Sequence, residues 1–173
     1  MKPIPADVER FLAQRRVAVA GVSRHPDQPA NAIFRRLRDA GHEVFAVNPA
    51  AAEVEGVTCY PTLAAIPGGV GAVMVVTPPA AAAAVVAEAA ELGIRHVWLH
   101  RSLGSGSVSP EAVRLGRELG LEVVVGGCPL MVVGRVDPFH RVMRLFRGPE
   151  PPVAGCGCPP AARPAAPTSA PNH

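Results

Sequence analysis

The chain has 173 residues, 49% of them hydrophobic, and a formal net charge of +3. That length and apolar content suit one domain with its own core. The mild, dispersed charge, with a single Trp and a single Tyr, argues against nucleic-acid binding through basic patches and aromatic stacking. Lys2 is the only lysine, which removes Schiff-base and Walker-type lysine chemistry.

The first sixteen residues carry Asp7, Glu9, Arg10, Arg15 and Arg16 and lack the apolar core of a secretory signal. Asp7 is expected to cap a short helix presenting Val8, Phe11 and Leu12. Residues 17–22 read as a buried strand that ends at Gly21-Val22-Ser23-Arg24-His25-Pro26. A small, polar, basic turn between a strand and a helix is a phosphate-binding pattern. Gly frees the backbone, Ser offers a hydroxyl, and the helix N-terminus offers N–H groups and a positive dipole end. The turn lacks the full G-x-G-x-x-G pattern.

A helix is expected over 31–40, stopped by Gly41, and a second strand over 43–47, ending at Asn48-Pro49. Residues 53–62 read as a connector and 62–66 as a short helix. A third strand spans 70–76, and an Ala-rich helix spans 79–92, closed by Gly93. The longest apolar run, 71–87, is broken by Thr77-Pro78-Pro79, so no membrane span is expected. A fourth strand covers 96–99. Ser109-Pro110 starts a helix reaching about Leu119, and a fifth strand covers 122–125 before Gly126-Gly127-Cys128-Pro129.

Strands that are continuous apolar runs and alternate with helices predict an α/β fold. The expected form is a Rossmann-like, doubly wound, five-stranded parallel sheet in order 3-2-1-4-5. This domain is expected over 1–133. Residues 134–148 follow as a basic amphipathic helix that docks on the domain, or alternatively forms a homodimer interface. Residues 149–173 read as a disordered Pro/Ala-rich tail. Without a secretion signal, Cys59, Cys128, Cys156 and Cys158 are not expected to form disulfides, and Cys156-Gly157-Cys158 is too short to define a metal site. A cytoplasmic protein is the expectation.

Ligands of such sheets bind beyond the carboxyl ends of the strands. Those ends carry Gly21, Val22, Ser23 and Arg24; Asn48 and Pro49; Thr77, Pro78 and Pro79; Arg101 and Ser102; and Cys128 and Pro129. This rim of small, polar and cationic residues suits a phosphorylated ligand such as a nucleotide. An NAD site places a carboxylate at the end of the second strand. Here that position holds Asn48-Pro49, followed by Ala50, so neither an NAD nor an NADP pattern is present.

The segments Val17-Ala18-Val19-Ala20-Gly21-Val22-Ser23 and Gly41-His42-Glu43-Val44-Phe45-Ala46-Val47-Asn48-Pro49 fall in a familiar order. His96-Val97-Trp98-Leu99 and Cys128-Pro129 follow in the same order. From about residue 8 to 133 the chain resembles the CoA-binding domain proteins, which are similar to the N-terminal domain of the succinyl-CoA synthetase alpha subunit. The resemblance implies a Rossmann-like domain that binds coenzyme A. Gly21, Val22 and Ser23 would line the pyrophosphate and pantetheine path, and Asn48 and Pro49 the adenosine end. Thr77, Pro78 and Pro79 would flank the ligand, with Arg101, Ser102, Cys128 and Pro129 closing the other side. Two positions depart from relatives: Ala50 stands where a basic residue often follows Asn-Pro, and Val76-Thr77 where some members have Phe-Arg. Arg24, His25 and Arg101 are the cations available to compensate.

Cys128 carries two readings, a small buried residue at a tight turn and a thiol activated by a following helix N-terminus; the first is favoured. His96 and His100 read as packing or rim residues. In the synthetases that this domain resembles, the reaction needs a phosphohistidine-bearing domain and a nucleotide-grasping partner, for which these 173 residues are not expected to have room. A non-catalytic CoA or acyl-CoA binder is therefore expected. The alternatives are a nicotinamide-dependent reductase, a CoA-binding subunit of an acyl-CoA ligase, and an interaction module with a vestigial pocket.

Overall fold

A computed structural model describes residues 4–101 and 106–133. The basic helix expected over 134–148 and the tail over 149–173 lie outside the described residues, as does Ser102. The chain runs α1 (Ala6–Leu12), β1 (Arg16–Ala20), α2 (Pro29–Asp39), β2 (Glu43–Val47), β3 (Glu53–Val54), β4 (Val57–Tyr60), β5 (Ala72–Val75), α3 (Pro79–Glu91), β6 (His96–Leu99), α4 (Pro110–Glu118) and β7 (Glu122–Val125). A single 3-10 turn, Pro129–Met131, follows.

The strands form one sheet in the order β3-β4-β2-β1-β5-β6-β7. All pairings are parallel except β3 with β4. Alternate residues of each central strand go to opposite faces, as the two-residue period of a strand requires. Val17, Val19, Met74 and Trp98 join the α1–α2 side with Phe11, Ile33, Phe34 and Leu37. Ala18, Ala20, Val73, Val75, Val97 and Leu99 join the α3–α4 side with Ala82, Val86, Ala89 and Ala112. Both faces are therefore covered, which is why the strands carry no polar alternation.

The helices dock through specific spacings. Ile33, Phe34 and Leu37 bury one stripe of α2, and Pro29 sits in its first turn. Ala82, Val86 and Ala89 do the same in α3. The Ser109 side chain accepts from the Ala112 N–H at 3.1 Å and caps α4 as its sequence indicates. In α4 a Cβ at Gly116 would stand 2.6 Å from Val123 Cγ2, so that glycine lets the helix lie close on β7.

The Rossmann-like class holds, but strand count and order differ from expectation. The strand beyond β2 is β4, inside the stretch read as a connector; the 70–76 segment, as β5, lies on the other side of β1. The parallel strands taken alone run 3-2-1-4-5-6, so the order reverses between β1 and β5. The connector is a hairpin: Glu55 and Gly56 both adopt left-handed backbone, with φ of 53° and 72°, as a two-residue type I′ turn demands. Residues 62–66 form turns rather than a helix, with Leu63 and Ile66 buried under the sheet. Asp7 lies inside α1, where Pro5 is the N-cap; its Oδ1 accepts from the Val8 N–H at 2.9 Å.

Candidate functional site

Open parallel sheets bind ligands where the strand order reverses. A cavity of about 400 Å³ opens there, bounded by the turns after β1, β5 and β6 and by the start of α2. Gly21 and Ser23 line it from the β1 turn, and Gln28, Pro29 and Ala30 from the start of α2. Val76, Thr77 and Pro78 close it from the β5 side, and His100, Gly106 and Ser107 from the β6 side. Gly21 is required here. Its φ is +102°, and a Cβ would stand 2.6 Å from the Val76 carbonyl oxygen, so the β1 and β5 turns touch backbone to backbone.

A polar network holds the β1 turn. The Ser23 N–H donates to Asn31 Oδ1 at 3.0 Å, and Asn31 Nδ2 donates back to the Ser23 carbonyl at 2.7 Å. The same Nδ2 donates to Glu55 Oε1 at 2.7 Å, and Arg35 Nη1 pairs with that oxygen, also at 2.7 Å. Burial works against the Glu55 carboxylate, but the hydrogen bonds from Asn31 and Arg35 prevail and hold it below its ordinary range. The β3–β4 hairpin thus anchors the start of α2, and through Asn31 the turn that faces the cavity. On the other wall the Ser107 hydroxyl donates to the Thr77 carbonyl at 2.6 Å. His100 is 4% exposed, and burial pushes its imidazole down to about 4.

The sequence profile of the CoA binding domain family matches residues 15–134, which takes in this cavity and the sheet beneath it. The chain belongs to that family.

Among its relatives, the uncharacterized protein YneT of Bacillus subtilis is 29% identical over 127 residues, covering 73% of this chain and 91% of that one. The ADP-forming acetate–CoA ligase I of Archaeoglobus fulgidus is 31% identical over 112 residues, which are 65% of this chain and 16% of the ligase. A solved structure of a hypothetical protein from Pyrococcus horikoshii superposes with a TM-score of 0.65 at 27% identity, over 74% of this chain and 92% of that one.

Of the residues singled out from the sequence, the fold brings Gly21, Ser23, Thr77 and Pro78 to this cavity. Val22 is buried in the core, and its carbonyl accepts from Asn48 Nδ2 at 2.8 Å. Asn48 also caps its own turn, Oδ1 accepting from the Ala50 N–H at 2.8 Å. Its side chain ties two strand ends together and is not part of the cavity wall. Arg24 and Pro49 are exposed, and Pro79 is the first residue of α3. The Arg101 N–H donates to the Gly127 carbonyl at 3.2 Å, and its side chain lies along Gly126. Cys128 and Pro129 are buried at the 3-10 turn, Cys128 within the α1–α2 core.

Sequence reasoning missed Gln28, Pro29, Ala30, Gly106 and Ser107, and treated His100 as packing or rim. Pro29 at the head of an amphipathic segment was the available signal for the first three. Nothing local marks Asn31, whose role depends on Glu55, 24 residues away. No helix among the described residues is long and apolar enough to cross a membrane.

Proposed function

We propose that the chain binds coenzyme A or an acyl-CoA in the cavity at the β1–β5 reversal and does not catalyse a reaction by itself. The observation that carries this reading is coincidence of place: the CoA-binding-family match spans a cavity at the point where this sheet topology takes its ligands. The residues fit such a ligand. Bare backbone at Gly21 permits close approach. The first turn of α2 contains no acidic residue and presents the positive end of the helix dipole to phosphate. Ser23 lies between them, and exposed Arg24 follows it. Bound coenzyme A would supply a thiol able to carry an acyl group as a thioester. The chain's own part is to hold and orient it: no Asp, Glu, Lys or Arg lines the cavity among the described residues.

The relation to the ADP-forming acetate–CoA ligase supports a second reading, in which the chain is the CoA-binding part of a larger acyl-CoA ligase assembly. The matched stretch is a small part of that enzyme, so the remaining chemistry would come from a partner. A thermal-shift titration with CoA, acetyl-CoA, NAD, NADP and ATP tests the binding claim. Linkage gives about 2.7 kcal/mol of added stability at one hundred times Kd. A shift with CoA or acetyl-CoA is expected, and a shift with NADP alone would replace the reading by a nicotinamide-dependent one.

A further inference from the structure

Thr77 Oγ1 and His100 Nε2 are buried and have no hydrogen-bond partner, and both residues line the same cavity. Buried polar groups are nearly always satisfied, and an unmade bond costs stability. Two such atoms in one cavity wall therefore point to a ligand that completes them. They are held in place from behind. The Thr77 carbonyl accepts from Ser107 Oγ, and the His100 carbonyl accepts from the Ser107 N–H at 2.7 Å. Ser107, itself buried, thus fixes both residues that carry the open atoms.

The wall is uncharged. No acidic or cationic side chain lines the cavity among the described residues, and burial keeps the His100 imidazole neutral at physiological pH. A neutral imidazole nitrogen and a hydroxyl match an amide or carbonyl group, each able to donate or accept. They do not offer the fixed positive charge that a phosphate selects. The opposite wall, at Gly21 and the start of α2, is the one that carries bare backbone and the positive end of a helix dipole.

We propose that Thr77 and His100 are specificity residues that receive the uncharged, amide-bearing arm of coenzyme A by hydrogen bonds from Oγ1 and Nε2, while the nucleotide end stays on the Gly21–Ala30 side. This rests on the coenzyme A reading above. The ligand is thereby oriented along the cavity: phosphates at the α2 end, amides and thiol toward the β5 and β6 ends.

The test dissects the ligand. Calorimetric titrations of wild type, Thr77→Val, His100→Leu and His100→Gln use three probes: coenzyme A, pantetheine and 3′,5′-ADP. Thr77→Val and His100→Leu are expected to weaken coenzyme A about tenfold each, the loss of one hydrogen bond to a buried partner. Both should weaken pantetheine in parallel and leave 3′,5′-ADP unchanged. His100→Gln, which keeps a neutral hydrogen-bonding group, should restore most of the affinity. Melting temperature without ligand gives the readout that a merely structural role would not produce: Thr77→Val should melt no lower than wild type, because it removes an unsatisfied buried atom. Equal weakening of 3′,5′-ADP and coenzyme A would place the nucleotide at this wall and overturn the proposal. Coenzyme A binding that none of the substitutions alters would overturn it alone. Absence of coenzyme A binding in wild type would overturn the underlying reading with it.

Discussion

Asn31 connects the cavity turn to the rest of the fold, and Asn31→Ala isolates that connection. The side chain makes three hydrogen bonds, two with the Ser23 backbone and one with the Glu55 carboxylate, at a site 1% exposed. A neutral bond contributes about 1 kcal/mol net and one to a charged group about 2 kcal/mol. Glu55 keeps its pair with Arg35, and the exposed residues after Ser23 let water reach the turn, which trims the loss. We expect a destabilisation of about 3 kcal/mol, a large share of the 5–15 kcal/mol typical of a domain. Urea unfolding followed through Trp98, the sole tryptophan and fully buried, measures it. Coenzyme A affinity should fall as well, because the Ser23 backbone is no longer fixed. Asn31→Asp serves as a companion. It retains the acceptor for the Ser23 N–H but sets a second carboxylate against Glu55, so its stability should fall further as pH rises through the carboxylate range. A loss below about 1 kcal/mol in the alanine variant would refute the reasoning, since three part-buried hydrogen bonds would then contribute almost nothing.

Two other predictions concern the same turns. Gly21→Ala and Gly41→Ala both force alanine into left-handed backbone, with φ of +102° and +94°, but only at Gly21 does the new Cβ meet backbone, at 2.6 Å. Chemical denaturation should show both variants losing about 1–3 kcal/mol to strain, with Gly21→Ala losing distinctly more; equal losses would contradict the close contact of the β1 and β5 turns. The buried His100 sets a pH dependence. Burial brings its folded value down to about 4 from the ordinary 6.5, so the unfolded chain binds the extra proton first. Its contribution is intact above about 6.5 and is lost as pH falls toward about 4, by about 3 kcal/mol in all. Urea midpoints between pH 7 and 4 should follow that slope, and His100→Gln should flatten it.

The central sheet was legible because its strands are short apolar runs punctuated by glycine: Glu43–Val47, His96–Leu99 and Glu122–Val125 fall where the pattern puts them. Two helix starts were legible, from Pro79 and the Ser109 cap; α2 was expected from 31 and begins two residues earlier, at Pro29. The β3–β4 hairpin was missed because its turn is Glu55-Gly56 rather than an Asn-Gly or Asp-Gly pair, and its second strand alternates over only four residues. That omission shifted the strand order, because β4 takes the place beside β2 that the 70–76 segment was expected to fill. Gly21, Ser23, Thr77 and Pro78 were legible as strand-end residues. The Asn31–Glu55–Arg35 network was not, since it joins residues up to 24 apart whose meeting depends on the unseen hairpin. His100 read as packing or rim because burial and cavity lining are the same pattern in sequence, and only the fold distinguishes them.

The most direct test of the account is a calorimetric titration of coenzyme A into wild type and Ser23→Asp, with NADP titrated in parallel. Ser23 lines the cavity beside the start of α2, so a carboxylate there repels the ligand's phosphates. The account predicts saturable coenzyme A binding at one site per chain, at least tenfold weaker in Ser23→Asp by about 1.4 kcal/mol or more, and no comparable binding of NADP. Binding of NADP alone, or coenzyme A binding indifferent to Ser23→Asp, would contradict it.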